Sequence, residues 1–303
     1  MTSACTLEVV HETRYEYASA VALAHHLAHL QPLADAGQVL LGASLEVEPA
    51  PAHRRDERDV YGNACTHFCL VQPHRLLVVR AASRVRVEDR FAALQPQAGP
   101  AWETVRDRLR YVARAPFEPA VEFVQPSACV PRLQALREYA AASFPAGRPV
   151  ALGALDLMHR IHADFTYEAR STAVDTPLEQ AFAQRRGVCQ DFAHVMTGAL
   201  RMLGLPARYV SGYLRTEAAG GAPLVGADAS HAWVQAWAPD TPGVPADGWL
   251  DLDPTNDLVP GCDHVRLAVG RDYADVAPLR GVIRGGGAHE LWVGVTTRRS
   301  EPA

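Results

Sequence analysis

The hydrophobic pattern of this chain changes its period near residue 204, and that change constrains the fold more than any other feature. Between Cys189 and Leu203 apolar residues recur three and four positions apart, as in a helix with one buried face. Gly204 and Pro206 are residues that end such a helix. Beyond them the period becomes two, which is typical of strands, in the runs Ala207–Leu214, His231–Ala238 and Trp249–Leu252. The sequence therefore predicts a helix followed by an antiparallel sheet.

The part of the chain before this helix shows two further patterns. Short β-type runs separated by turn residues occupy the first ninety positions: Leu7–Val10, Leu45–Glu48 and Leu76–Val87. Helical periodicity broken by prolines follows in Trp102–Val112, Arg132–Ser143, Ala151–Ala163 and Leu178–Gln184. We therefore place an N-terminal antiparallel β domain at residues 1–90, and a helical region plus the core of the fold at residues 91–303.

Length and charge narrow the classes of function. A chain of 303 residues that is 48% hydrophobic can bury a large core. Its formal net charge of −5 comes from scattered charges of both signs, which argues against a nucleic acid partner and against an anionic membrane partner. The first ten residues lack a basic start followed by an apolar run, and no stretch approaches the roughly 20 apolar residues that cross a bilayer. We expect a cytoplasmic protein.

The cysteines and histidines outside the predicted core helix and strands do not have the spacing of a metal-binding site. Six cysteines in 303 residues are too sparse for a disulfide framework, and most are expected to be small buried residues. The run Cys65-Thr66-His67-Phe68-Cys69 has the residue types of a zinc site, but it alternates along a strand and no second Cys/His pair follows at a suitable spacing. We expect no metal and no cofactor. His25, His26 and His29 are expected to face solvent on a short helical stretch.

Cys189 differs from the other cysteines by its position. It lies in the first turn of the predicted helix, where unpaired backbone N–H groups and the positive end of the helix dipole favour a thiolate. A cysteine taken at random is more often a buried small residue. Position alone therefore does not make Cys189 a nucleophile, and partner residues are needed.

Two alternating strands supply such partners. If His231 pairs opposite Asp253, then Trp233 faces Asp251 and both functional side chains emerge on one face of the sheet. An acid beside an imidazole fixes its tautomer and stabilises the imidazolium that forms when a thiol loses its proton. Asp251 is a rival on the same face. Pro254 favours Asp253, because a proline ends the strand there and leaves Asp253 at the rim of the sheet.

Four segments around these residues occur in an order that matches a known family. They are Gly187–Ala193, Ala207–Tyr213, Ser230–Trp233 and Gly248–Thr255. Together they resemble the bacterial transglutaminase-like proteins of the papain-like cysteine superfamily. The likeness extends to Gly270–Asp275, and His11–Tyr17 and Tyr61–Asn63 are similar to the β domain that these proteins carry before the core. The resemblance implies an α+β fold, with an N-terminal antiparallel β domain followed by a core of helices packed on an antiparallel sheet.

The resemblance also implies a role for each candidate residue. Cys189 matches the nucleophile, His231 the general base and acid, and Asp253 the residue that orients the histidine. The backbone N–H of Cys189 is the implied oxyanion donor. Tyr167 and Gln190 are assigned as further oxyanion or substrate contacts.

The chemistry implied by the resemblance is acyl transfer from a peptide or glutamine carboxamide bond through a thioester. With water as acceptor the enzyme is a peptidase or amidase, which we favour because many bacterial members resemble peptidases and the chain shows no obvious calcium-binding acidic loop. With an amine as acceptor it is a protein-glutamine gamma-glutamyltransferase. Acyl transfer between small molecules, as in arylamine acetyltransferases, and a non-catalytic peptide-binding scaffold stay open.

Two further expectations concern the surroundings of the site. The resemblance implies a peptide or protein substrate, and an ATP-grasp-type ligase as a partner by family association. The glycine-rich segment 217–226 lies between the first strand of the core and His231, and it is a candidate lid over the cleft.

Overall fold

The computed structural model describes residues 4–169, 172, 174–216 and 230–300. The strands of the first region are β1 Ala4–Ala28, β2 Gln38–Glu48, β3 His53–Arg58, β4 Ala64–Leu70 and β5 His74–Glu88. The middle of the chain holds α1 Trp102–Arg108, α2 Gln134–Ala141 and α3 Val150–Asp164, with short 3-10 helices at Pro96–Ala98 and Pro119–Val124. The helices lie where the periodicity predicts them, although α1 and α2 are shorter than predicted.

The core that follows has helices first and strands second. It begins with β6 Thr166–Tyr167, α4 Leu178–Gln184, β7 Arg186–Gly187 and α5 Cys189–Met202. The strands that follow are β8 Ala207–Leu214, β9 His231–Trp237, β10 Trp249–Leu252 and β11 His264–Gly270. The chain ends with α6 Tyr273–Val276, β12 Leu279–Gly285 and β13 His289–Arg299. The strands β8 and β10 have the predicted bounds.

The N-terminal sheet is organised around β1, which is much longer than the predicted run Leu7–Val10. Its first half pairs with β5 and β13, and its second half pairs with β4 and β12. The sheet has the order β2-β5-β1-β4-β3, with β12 and β13 added to β1. The strands β12 and β13 therefore belong to the same sheet as β1. The division of the chain into two domains at residue 90 stays a prediction.

The predicted helical stretch at His25, His26 and His29 is wrong, and the predicted exposure to solvent holds only for His25. The stretch lies in and just after β1, and His25 is exposed while His26 and His29 are buried. The register shifts between Val21 and Leu23, so the buried side of the strand changes from odd to even positions there. The ring of His26 consequently stacks on Phe68, with ring centroids 5.0 Å apart.

The core sheet has the order β10-β9-β8-β11 and packs against α5. The prediction that α5 buries one face is incomplete, since every residue from Gln190 to Arg201 is buried. All of its buried polar side chains except Thr197 have hydrogen-bond partners among the described residues, which makes their burial tolerable. Arg201 donates to the carbonyls of Ala207 and Arg271, and His194 accepts the backbone N–H of Tyr273 at 3.2 Å. His194 thus has a structural role in holding the segment that begins α6.

A single large hydrophobic core connects the N-terminal sheet to the core sheet. Leu7 and Val85 of the first sheet share this core with Val195 of α5 and Val234 of β9. A buried hydrogen bond crosses the same boundary, because the hydroxyl of Tyr213 lies 2.9 Å from Nδ1 of His11. Burial lowers the pKa of His11 to about 4, so its imidazole is neutral at physiological pH.

The state of the cysteines and the length of the helices bear on disulfide formation and on membrane insertion. All six cysteines are free. None of the helices among the described residues is long and apolar enough to cross a bilayer.

Replacing Tyr213 by Phe tests the bond between the two sheets. We expect the free energy of unfolding to fall by about 1–2 kcal/mol, because Nδ1 of His11 stays buried without its partner. Urea denaturation of the purified protein measures this change. Tyr111→Phe is the matched control, since Tyr111 is 92% exposed; equal stability of both variants and the wild type would contradict the assignment.

Candidate active site

The first turn of α5 is held by the side chain of Asp191. Its Oδ2 accepts the backbone N–H of Val188 at 2.8 Å and the hydroxyl of Thr172 at 2.7 Å. The approach is so close that a Cβ on Gly187 would lie 2.4 Å from this oxygen, so glycine is required there. Burial raises the pKa of Asp191, and the two hydrogen bonds only partly oppose that effect. The start of the helix at Cys189 is therefore held by the contacts of Asp191 with Val188 and with Thr172.

Cys189 lies at the start of this helix, with a thiol that is partly exposed. The backbone N–H groups of a first helical turn have no acceptor within the helix. Those of Val188 and Asp191 donate to Oδ2 of Asp191 and to the carbonyl of Val188, whereas those of Cys189 and Gln190 can bind an anion that forms beside the sulfur. The role of Cys189 as nucleophile stays a prediction.

His231 and Asp253 are in direct contact. Nε2 of His231 lies 2.9 Å from Oδ2 of Asp253, and both side chains are fully buried. His231 begins β9, and Asp253 follows the last residue of β10. The two strands are antiparallel neighbours, as predicted.

The predicted register between these strands is wrong by two residues. Asp251 pairs with Gln235, and Trp249 pairs with Trp237, so Asp253 is not the cross-strand partner of His231. Asp253 instead pairs with Leu258, because the chain turns after Pro254 and leaves the sheet. A slip of two residues keeps each side chain on its face, which is why the contact between the two residues forms in spite of the error.

The turn after Asp253 fixes the carboxylate. Oδ1 accepts the backbone N–H groups of Thr255 and Asn256 at 3.0 and 3.2 Å, and Oδ2 accepts the side-chain amide of Asn256 at 2.9 Å. An Asp that bonds to its own backbone two residues on is typical of a turn. Helix α3 holds this turn from outside, since Nδ1 of His162 contacts the carbonyl of Thr255 at 3.1 Å. Asp253 is therefore both a turn former and a rigid acceptor.

Asp251, the rival acid, is bound elsewhere. Its Oδ1 accepts the indole N–H of Trp233 at 3.4 Å, and its Oδ2 lies 3.8 Å from the guanidinium of Arg90. Among the two candidates, Asp253 is the one that contacts His231.

His264 completes the cluster and was missed by the sequence analysis. Its Nε2 lies 3.1 Å from the same Oδ2 of Asp253, and its ring is buried at the start of β11. The ring packs edge-on against Trp233, with centroids 5.3 Å apart. Gly212 of β8 makes room for this indole, since a Cβ there would lie 2.3 Å from it. In the sequence, His264 is marked only as a polar residue at the start of a buried-strand pattern. Such a position is too common to identify a functional residue.

The attraction between opposite charges, more than burial, sets the direction of the pKa shifts of His231 and Asp253. Burial lowers the pKa of His231. The opposing effects are larger and raise this pKa to about 10: they are the charges of Asp253 and of the Cys189 thiolate, and the hydrogen bonds of His231 to both residues. Burial raises the pKa of Asp253, but the charge of His231 and hydrogen bonds from His231 and His264 hold that pKa well below its usual range. At neutral pH the pair is therefore an imidazolium and a carboxylate.

The second nitrogen of His231 is the one available to the thiol. Nε2 is committed to Asp253, and Nδ1 makes no hydrogen bond of standard geometry to any described residue. Cys189 is nevertheless close enough to raise the pKa of His231 through both its charge and a hydrogen bond. The imidazole of His231 is thus hydrogen-bonded to Asp253 and lies within electrostatic reach of Cys189.

The other predicted contacts are placed near this group. Tyr167 lies on β6, which pairs in parallel with β7 just before Cys189. The side chain of Gln190 donates to the carbonyl of Val174 at 3.0 Å, so one of its amide hydrogens holds the preceding segment. The roles of both residues as oxyanion or substrate contacts stay predictions. The candidate lid at 217–226 lies outside the described residues.

The site also has the residue types of a metal centre. Donor atoms of His231, Asp253 and His264 lie within 4.8 Å of one another. A metal there would have to replace the protons that the two imidazoles donate to Asp253, whereas those hydrogen bonds satisfy the carboxylate without an ion. The geometry therefore favours a hydrogen-bonded cluster.

Two family models match the chain. The bacterial transglutaminase-like N-terminal region matches residues 7–86, and the transglutaminase-like superfamily matches residues 142–254. An uncharacterised protein of Mycobacterium tuberculosis is 40% identical over 279 residues, which cover 91% of this chain and 86% of that protein. The chain belongs to the bacterial transglutaminase-like proteins. The family predicted from four short segments is thus confirmed.

Further similarities bear on fold and on chemistry separately. A crystal structure of a candidate cysteine protease from Cytophaga hutchinsonii superimposes with a TM-score of 0.74, at 21% identity, over 100% of this chain and 93% of that one. This similarity confirms the predicted α+β fold. A protein-glutamine gamma-glutamyltransferase of Pseudomonas aeruginosa is 36% identical over 141 residues, which are 44% of this chain and 20% of that protein. In general terms, the protein is a cysteine-dependent enzyme of the transglutaminase-like superfamily.

The buried ion pair predicts a dependence of stability on pH. The pKa of His231 is raised in the folded state, so its stabilisation is complete below pH 6.5 and is lost as the pH rises to about 10. The difference in unfolding free energy between wild type and His231→Gln should therefore shrink over this range, by at most about 1.4 kcal/mol per pH unit. Urea denaturation of both proteins between pH 6 and pH 10 measures it, and a constant difference would refute the assignment.

The contact of His264 with Asp253 predicts a separate effect. Replacing His264 by Phe keeps a ring but removes a donor to a buried carboxylate, and we expect a loss of about 1.5–3 kcal/mol in unfolding free energy. His264→Gln retains an amide donor and serves as the control. Thermal and urea unfolding at pH 7 would show the Phe variant as the weaker one; the reverse order would exclude a hydrogen-bonding role.

Proposed function

We propose that this protein is a peptidase or amidase in which Cys189, His231 and Asp253 form a catalytic triad. One observation carries the proposal, namely a fully buried His231–Asp253 ion pair whose remaining imidazole nitrogen is left for a partly exposed thiol. Burial of two charges is costly, and a purely structural role would be served equally well by apolar residues. The arrangement is the one that thiol-dependent acyl transfer requires.

In the first half of the reaction the thiolate of Cys189 attacks the carbonyl carbon of a peptide or glutamine carboxamide. The carbonyl oxygen becomes an oxyanion, which the backbone N–H of Cys189 stabilises, with Tyr167 and Gln190 as proposed further contacts. The imidazolium of His231 then gives its Nδ1 proton to the leaving nitrogen. The C–N bond breaks, the amine departs, and a thioester remains on Cys189.

The second half of the reaction returns the enzyme to its starting state. Neutral His231 takes a proton from water at Nδ1, and the resulting hydroxide attacks the thioester carbonyl. The C–S bond breaks, the carboxylic acid is released, and the thiolate and imidazolium are regenerated. Asp253 stays ionised throughout, and its hydrogen bond from Nε2 keeps the lone pair of neutral His231 on Nδ1.

We propose a peptide or protein as the substrate, because the reacting bond is an amide and the thiol is partly exposed at the start of α5. The cytoplasmic location and the ATP-grasp-type partner remain predictions from the sequence and its resemblance.

A second candidate function differs only in the acceptor. If an amine replaces water in the second half of the reaction, the product is a new amide and the enzyme is a glutamine transferase. The relative from Pseudomonas aeruginosa that carries the name protein-glutamine gamma-glutamyltransferase favours this alternative. The two functions share the thioester, so one experiment can separate them.

Glutamine-containing peptides incubated with the protein provide this experiment. With water as acceptor, mass spectrometry should detect cleaved peptide or glutamate in place of glutamine, with and without an added primary amine. A peptide–amine adduct would instead identify a transferase. Cys189→Ala and His231→Ala should abolish either product, and Asp253→Asn should reduce its rate by roughly 100-fold or more.

Asp251→Asn is the matched control, since Asp251 lies two residues from Asp253 and contacts neither Cys189 nor His231 in the described hydrogen bonds. Iodoacetamide alkylation mapped by mass spectrometry adds a readout that needs no substrate. Cys189 should react faster than the other cysteines, and His231→Ala should slow it. An alkylation rate that His231→Ala leaves unchanged would count against the triad.

A further inference from the structure

A second group of metal-ligating side chains lies on the N-terminal sheet, on the neighbouring strands β3 and β4. It consists of Glu57, Cys65 and His67, whose donor atoms all lie within 4.8 Å of one another. Nε2 of His67 is 2.9 Å from Oε1 of Glu57. None of these residues takes part in the proposed reaction.

The strand register explains why these three side chains converge. Cys65 and His67 are two positions apart on β4, so they point to the same face of the sheet. Glu57 is the cross-strand partner of Cys65, and cross-strand partners also share a face. No second Cys/His pair follows the Cys65–Cys69 run at a suitable spacing. The missing ligand precedes the run and is supplied by the adjacent strand.

We propose that Glu57, Cys65 and His67 form a binding site for a divalent transition metal of the zinc class. One thiolate, one imidazole and one carboxylate are a donor set that suits zinc, whereas calcium and magnesium prefer oxygen atoms only. Zinc–ligand bonds of about 2.0–2.3 Å place ligand atoms of a tetrahedral site about 3–4 Å apart. Small side-chain rotations bring atoms within 4.8 Å to that spacing.

The surroundings of the three residues fit this role. Oε2 of Glu57 is held by the guanidinium of Arg55 at 2.8 Å, which leaves Oε1 on the side of His67. The side chains of Glu57 and His67 are 33% and 48% exposed, so a hydrated ion can reach them. His67 also lines a groove of about 290 Å³ with His25 and Arg280. The partial exposure of Glu57 and His67 leaves room for a fourth coordination position, taken by water or by a small ligand.

Metal binding at this site exchanges a proton for the ion. Burial raises the pKa of the Cys65 thiol, and the negative charges of Asp59, Glu57 and Asp56 raise it further. The same negative charges attract a cation to the site. A sulfur–metal bond then replaces the S–H bond, and the proton passes to the solvent. No oxidation or reduction is involved.

Cobalt titration of the full-length protein tests the site. The Cys189→Ala background removes the other reactive thiol, and cobalt bound to a thiolate gives a charge-transfer absorption that the buried His231, Asp253 and His264 cannot produce. We expect this absorption to appear, zinc to abolish it by displacement, and binding to release protons into a weak buffer. Absence of the absorption would overturn the proposal.

Variants assign the ligands. Cys65→Ser should abolish the absorption, and Glu57→Gln and His67→Gln should weaken zinc binding by at least about tenfold, because even an outer-shell partner is worth 10–100-fold. Cys69→Ser and His53→Asn are matched controls, since these two residues pair across the same strands four positions from the Glu57–Cys65 pair. They should leave the affinity unchanged. If Cys65→Ser fails to fold, the half-exposed Glu57 and His67 still decide the result, and unchanged binding in both would refute the site.

Discussion

The buried carboxylate of Asp253 is the interaction on which the geometry of the site depends. An ionised carboxylate in a protein interior loses several kcal/mol of hydration, which only hydrogen bonds and an opposite charge can offset. Among the described residues, Asp253 accepts hydrogen bonds from His231, His264, the Asn256 amide and the backbone N–H groups of Thr255 and Asn256. Each donor comes from a segment whose position is thereby fixed. The same bonds orient the imidazole, so that the fold and the proposed chemistry share one constraint.

Much of this site could be predicted from the sequence because its elements are local. The helix start at Cys189 and the strands that carry His231 and Asp253 follow from periodicity and from Gly204, Pro206 and Pro254, and β8 and β10 have the predicted bounds. Register could not be predicted, since alternation defines the face of a residue but not its partner. The error of two residues left the contact intact for that reason.

Other features could not be predicted because they depend on distant parts of the chain. His264 joins Asp253 across the core sheet, and nothing in its own neighbourhood marks it as functional. The shift of register near Val21 buries His26, which a simple strand pattern would not show. The burial of α5 on all sides likewise requires partners for Asp191 and Arg201 that lie far away in sequence. Long-range pairing decided each of these cases.

The return of β12 and β13 to β1 explains how the N-terminal sheet affects the site. The strand β1 shares its large hydrophobic core with α5 and β9, and His11 of β1 is hydrogen-bonded to Tyr213 of the core sheet. These contacts couple the N-terminal sheet to the sheet that holds His231. The strand β3 lies at the far edge and pairs only with β4 among the strands described. A metal bound by Glu57, Cys65 and His67 would connect this edge strand to β4, and a ligand that binds only the folded state stabilises it in proportion to the logarithm of its concentration. The metal site would therefore act on the stability of the sheet, while the charges of His231 and Asp253 act on the reaction.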